Sequence, residues 1–149
     1  MTKDEQLYAV ISLVRPVFRA LVAAVEDRLA GTGLGVPERG VLECLHSIGP
    51  LTVPGLARTI GVPRQFVQRT CNGLLESRLV ERRVNPAHAR SDLVALTPAG
   101  VQAFAALRAR ETAASKPLAA ALSATDLATT TRVLQAMREH YERLPKRHG

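Results

Sequence analysis

The chain has 149 residues, enough for one domain or for a small domain carried on additional helices. Its hydrophobic share of 46% is that of a globular chain, but with only 3% aromatics much of the core must be Leu, Val and Ala, of which Ala and Leu favour helix and Ala lets helices approach closely. A formal charge of +7 favours a polyanionic partner, either nucleic acid or an anionic membrane surface.

From about Asp4 to Leu29 the sequence reads as one long helix. Leu7, Val10, Ile11, Val14, Val17, Phe18, Leu21, Val22, Val25 and Leu29 form an apolar stripe wider than one small neighbour would cover. Pro16, which cannot donate to the carbonyl four residues back, is expected to bend this helix or loosen a turn. The glycine-rich stretch Gly31-Thr32-Gly33-Leu34-Gly35 ends it. A second helix is expected from Pro37-Glu38 to about Ile48, with Val41, Leu42, Leu45 and Ile48 inward and Gly49-Pro50 as its stop.

The next stretch carries the most information. Thr52 is placed to cap a short helix whose apolar seam is Leu56 and Ile60, Gly61 is suited to a left-handed terminus, and Pro63 fits the first turn of a following helix. In that helix Val67, Cys71 and Leu74 share one face, while Arg64, Gln65, Gln68, Arg69 and Asn72 lie on others. An apolar back and a front of Arg, Gln and Asn is what a helix needs to sit on a small core and offer side chains to phosphates and base edges. Two short helices joined by a tight turn make a helix-turn-helix. Val80 to Val84 and Asp92 to Leu96 then alternate as two strands joined by the basic loop Asn85-Pro86-Ala87-His88-Ala89-Arg90, a wing beside the second helix. Leu51 is expected to add a single-residue strand contact to this hairpin. Residues 61–90 alone hold a surplus of four positive charges, more than half of the chain's excess.

Thr97-Pro98 signals the start of another long helix, with Lys116-Pro117 marking a bend or break near its end. Ser123 caps a last helix bearing Leu127, Val133, Leu134, Met137, Tyr141 and Leu144, although Asp126 reaches back less well than Glu would. Pro145-Lys146-Arg147-His148-Gly149 reads as a frayed basic tail. The expected fold is mainly α with a small β wing: residues 1–35 form an N-terminal dimerisation helix, 36–97 a winged helix-turn-helix core, and 98–149 C-terminal dimerisation helices. The flanking helices are too apolar to be solvated singly, which predicts a C2 homodimer carrying two recognition helices roughly 34 Å, one turn of DNA, or a multiple of it apart.

The chain resembles the MarR family of winged helix-turn-helix transcriptional regulators. The matching residues are Leu56-Ala57, Ile60-Gly61-Val62, Val67 to Leu74 with Leu75-Glu76, Leu79-Val80-Glu81-Arg82, Asn85-Pro86, Arg90, Leu93-Val94 and Leu96-Thr97-Pro98-Ala99-Gly100. Together they span roughly residues 36 to 100; the run from Leu79 to Gly100 is the specific part, and the flanking helices agree by layout only. Two positions depart from the family pattern. His88 stands where members commonly have an Asp two residues before the wing arginine, so the loop must be held differently. Arg78 stands where Gly usually follows the recognition helix; a left-handed backbone there would cost a non-Gly residue roughly 1 kcal/mol.

The resemblance and the residue pattern both make Arg64, Gln65, Gln68 and Arg69 the candidates for the major groove, where Gln can read adenine and Arg guanine, or either can go to phosphate. Asn72 is a candidate for the DNA backbone. The resemblance implies that Arg90 enters the minor groove, where a narrow A·T-rich stretch concentrates negative potential. Arg82 and Arg83 alternate across a strand, so at most one of them faces DNA. The function implied is a cytoplasmic, homodimeric regulator, a repressor before an activator, on a pseudo-palindromic operator in double-stranded DNA. Family members can be released by small aromatic or phenolic effectors bound between the helical dimer region and the DNA-reading core. A low-specificity architectural DNA binder is the alternative, and a protein-interaction module stands behind it.

Cys44 and Cys71 both fall in apolar helical patterns, where burial quenches a thiol, and a reduced compartment suits them better than a disulfide. His46, His88, His140 and His148 show no metal-ligand spacing with each other or with the cysteines. No phosphate loop, nucleophile motif or convincing carboxylate pair is present, so no enzyme, cofactor or metal is expected. No run is read as long and pure enough to span a membrane, and no membrane partner is expected.

Overall fold

The computed structural model describes residues 1–145; the tail expected from Pro145 lies, from Lys146 onward and including His148, outside the described residues. The element order is α1 (Lys3–Leu29), α2 (Val36–Ile48), α3 (Val53–Ile60), α4 (Arg64–Glu76), β1 (Val80–Arg83), β2 (Leu93–Leu96), α5 (Pro98–Ala121) and α6 (Ala124–Arg143). The chain falls into two compact units, Met1–Glu111 and a second beginning at Thr112.

In the first unit, Val41, Leu42 and Leu45 of α2, Leu56 and Ala57 of α3, and Val67, Cys71 and Leu74 of α4 close one apolar core with Val80, Val94 and Phe104. On α2, α3 and α4 these are the inward positions that the helical spacing assigns, with Ala57 added on α3 and Phe104 from α5; Ile60 is half-buried against the core. Ile48 departs most, at 59% exposed, because it is the last residue of α2, beside the Gly49 terminus. The two strands pair antiparallel with Val80 opposite Leu96 and Arg83 opposite Leu93. Leu51 joins them by a bridge to Val94, with amide-to-carbonyl bonds of 3.1 and 2.8 Å. The hairpin is thereby fastened to the start of α3.

The helix starts follow local chemistry. Thr2 and Glu5 form a capping box on α1, and Glu38 reaches back to the Gly35 amide at 3.0 Å to begin α2 one residue before Pro37. Thr97 Oγ1 accepts from the Gly100 amide at 3.0 Å and donates to the Arg78 carbonyl at 2.7 Å, so one hydroxyl ties the start of α5 to the end of α4. Ser123 caps α6, but the Asp126 carboxylate bonds the Ser123 hydroxyl at 2.6 Å rather than the Ser123 amide, the shorter reach expected of Asp. Neither internal proline breaks its helix. α1 runs through Pro16 and α5 through Pro117, and the carbonyls left without a donor, on Ser12 and Ala113, sit in exposed stretches where water can serve them.

α1 corrects one expectation. An 18-residue stretch of it has a mean hydropathy of 1.7, long and apolar enough by length and composition to cross a membrane. Arg15 and Arg19 lie mid-helix, and each would cost roughly 2.5–3.5 kcal/mol at a bilayer centre.

Candidate nucleic-acid interface

The geometry of the interface begins at the turn between α3 and α4. Thr52 Oγ1 accepts from the Gly55 amide at 3.1 Å, and Gly61, left-handed at φ 79°, returns its amide to the Ala57 carbonyl at 2.9 Å. Pro63 differs slightly from expectation. It is extended at ψ 146° and stands just before α4 rather than within its first turn, its carbonyl accepting from the amides of Phe66 and Val67. The turn is short because two residues of fixed or left-handed backbone do the work of a longer loop.

α4 separates its faces as its spacing predicts. Val67, Thr70, Cys71 and Leu74 are buried, while Arg64, Gln65, Gln68, Arg69 and Asn72 are exposed. Gln68 Nε2 donates to Asn72 Oδ1 at 3.0 Å, so the two amides are already oriented relative to each other. Burial lifts the Cys71 thiol to about 11, which leaves it protonated and unreactive at neutral pH. Burial, with help from Glu43, also raises the half-buried Cys44.

The wing sends its two strand arginines to different sides. Arg83 donates from Nη2 and Nε to Glu81 Oε1 at 2.9 and 3.0 Å, on the same side of the strand. Arg82 points the other way and lines a groove with Arg64, Gln65, Gln68 and Arg90. Val94, Leu75 and Cys71 contribute to the lining, and Asp92 is the one acid in it. Positive charge from the helix, the strand and the wing loop therefore converges on one cleft.

The wing loop answers the missing Asp at position 88. The Asn85 side chain accepts from the Ala87 amide at 3.0 Å, the Asn85 carbonyl from the His88 amide at 3.3 Å, and the His88 carbonyl from the Ser91 amide at 3.2 Å. Buried Asn85 thus supplies the brace from inside the loop. Arg90 is exposed and forms no ion pair among the described residues. Arg78 is left-handed at φ 59°, the conformation that a glycine would take without cost, and the Thr97 hydroxyl holds its carbonyl.

Two features escaped the sequence reading. Arg39 of α2 donates through Nε and Nη2 to Glu111 of α5, the latter at 2.7 Å, and through Nη1 to Glu43 at 2.7 Å. These bonds hold the Glu111 carboxyl below its usual range and raise Arg39 above its own. The partners are 72 residues apart, and no local pattern announces them. The second is Phe66, 43% exposed on the recognition helix. Among the described residues no three His, Cys, Asp or Glu side chains gather to hold a metal. His46 packs against Phe104 at 5.0 Å, and His140 against Tyr141 at 5.2 Å.

The sequence profile of the MarR family matches residues 32–91. The crystal structure of a MarR family transcription regulator is 32% identical, with a TM-score of 0.83 over 94% of this chain and 93% of that one. This chain belongs to the MarR family. So extensive a likeness must take in most of the 27-residue α1, which is therefore part of the shared MarR architecture. A crystal structure of CouR from Rhodococcus jostii RHA1, bound to p-coumaroyl-CoA, is 26% identical, with a TM-score of 0.73 over 84% of this chain and 88% of CouR. The uncharacterized protein Rv2011c of Mycobacterium tuberculosis is 40% identical over 87 residues, which are 58% of this chain and 61% of that protein. The match thus spans about three-fifths of the length of this curated relative. The fold of this MarR family member is the mainly helical, winged one that its sequence predicts.

Proposed function

We propose that this MarR family member is a DNA-binding transcriptional regulator that acts in the cytoplasm as a homodimeric repressor on a pseudo-palindromic operator. The observation that carries the reading is the convergence of Arg64, Gln65, Gln68, Arg82 and Arg90 on one cleft between α4 and the wing. In this reading α4 lies in the major groove. Arg64, Gln65, Gln68 and Arg69 reach base edges or phosphates, Asn72 meets the backbone, and Arg90 enters the neighbouring minor groove. Arg82, between the helix and the loop, meets the phosphates that separate the two grooves.

Residues 36–97 form the reading core in this account, and residues 1–35 and 98–149 supply the dimer contacts. Support comes from apolar side chains left exposed in the single chain: Leu13, Val17, Phe18 and Leu21 on α1, and Leu127, Leu134 and Tyr141 on α6. A small aromatic effector releases the operator by favouring a spacing of the recognition helices that DNA does not accept, which requires different affinities for the two spacings. The p-coumaroyl-CoA held by CouR supports an aromatic chemistry for that effector.

Selection of random duplex DNA by the purified protein, with the recovered sites retested at two salt concentrations, tests the reading. The expected result is an inverted repeat bound by one dimer. On that site Arg90→Ala should weaken binding by about 1–3 kcal/mol if it reads a base, or flatten the salt dependence by about one charge if it meets phosphate. Affinity unchanged across the salt titration would remove Arg90 from the interface. Salt-sensitive binding without an enriched motif would instead describe an architectural protein, and no binding a module for protein partners.

A further inference from the structure

Phe66 is the third residue of α4, in the turn from which a recognition helix touches base edges. Its ring is 43% exposed and takes no part in the apolar core, which α4 completes with Val67, Cys71 and Leu74. Within three residues of it Arg64, Gln65, Gln68 and Arg69 are exposed and polar, Pro63 is exposed and Val67 is buried; of these, Pro63 and Arg69 lie on its own flank. Two turns along the same flank stands Gly73, where an added Cβ would meet nothing within 4 Å, so that side of the helix is open to approach.

The exposed part of a phenyl ring on a helix of Arg and Gln needs an apolar counterpart. Phosphate is a poor one, because the ring would strip its water without returning a hydrogen bond. The edges of the bases in the major groove are donors and acceptors with one exception, the C5-methyl group of thymine. We infer that Phe66 is a specificity-determining residue that selects thymine in each half-site by packing its ring on that methyl. The inference rests on the regulator reading and adds to it the identity of a base.

The test uses the operator that the wild-type protein selects. Each thymine is replaced in turn by uracil, which pairs identically and lacks only the methyl, and affinity is measured for wild type, Phe66→Ala and Phe66→Leu. One uracil position per half-site should weaken wild-type binding roughly 3- to 10-fold, the scale of one buried methyl group. Phe66→Ala should lose that penalty, binding both duplexes at the affinity wild type shows for the uracil form, and Phe66→Leu should retain part of it. Circular dichroism and unchanged binding to unrelated DNA would show that the variants fold. A selected operator with no uracil penalty, or a penalty that persists in Phe66→Ala, overturns the role of Phe66 and leaves the regulator standing. Failure of wild type to select any motif removes both.

Discussion

The reading core and α6 use the same aliphatic residues to opposite ends. Each of α2, α3 and α4 buries at least three residues within the unit, whereas α6, with Leu127, Val133, Leu134 and Tyr141 along it, buries none. α1 resembles α6 in this respect, burying only Leu29 of its long apolar stripe. A core of Val and Leu closes when short helices and a hairpin surround it; the same residues on a long helix leave a face whose burial is worth roughly 1.5–3 kcal/mol per large side chain and is still to be gained. The core is complete in one copy, whereas α1 and α6 leave their apolar faces exposed in it.

The sharpest way to break that contrast is to damage each side once. Leu56, with no exposed surface, touches the centre of the core, so Leu56→Ala should cost about 2–5 kcal/mol in chemical denaturation. Phe18, 65% exposed on α1, should behave differently. Phe18→Asp is expected to leave the helical content and the folded core intact while weakening self-association by about 1.5–3 kcal/mol per protomer, seen as a shift toward monomer in sedimentation. A variant that sediments as wild type would mean that this face is not where the copies meet.

The contrast also separates what the sequence reveals from what it conceals. The caps at Thr52, Thr97 and Ser123, the left-handed Gly61, the faces of α4 and even the Leu51 bridge follow from neighbours within a few residues or from alternation along a strand. The prolines are harder, because whether Pro117 ends a helix depends on whether water reaches the orphaned carbonyl, which is a matter of exposure. The site shows the same division. The outward position of Arg64, Gln65 and Gln68 is legible from period, but the choice of Arg82 over Arg83 for the cleft needed the Glu81 ion pair, and the brace by Asn85 needed the folded loop. Long-range pairs leave no periodic trace at all.

The Arg39–Glu111 pair is the clearest of these, and its test is one of acidity. Because the native Glu111 carboxyl titrates below its ordinary range, its stabilisation is fully present above the unfolded carboxylate pKa of roughly 4.3 and is lost as pH falls through the lower native value. Glu111→Gln should therefore destabilise the protein by about 1–3 kcal/mol at neutral pH, as for a hydrogen bond to a charged group. The gap between variant and wild type should close below roughly pH 4, with Arg39 charged throughout. A gap independent of pH would assign the loss to packing instead of charge.

The smallest effect is expected where the chain departs from its own family's habit. Arg78 occupies φ 59°, yet its position is fixed from both sides, by its amide on the Leu75 carbonyl at 3.1 Å and by the Thr97 hydroxyl on its own carbonyl. Arg78→Gly removes the Cβ that makes this backbone unfavourable, a relief of about 1 kcal/mol, but returns part of it as the greater freedom of glycine in the unfolded chain. A net gain of a few tenths of a kcal/mol in denaturation, accompanied by weaker, less salt-dependent DNA binding, would mean that this chain holds a strained arginine at the end of its recognition helix for the sake of a phosphate. A gain in stability with DNA binding untouched would make Arg78 a tolerated substitution and confine the positive interface to the cleft between α4 and the wing.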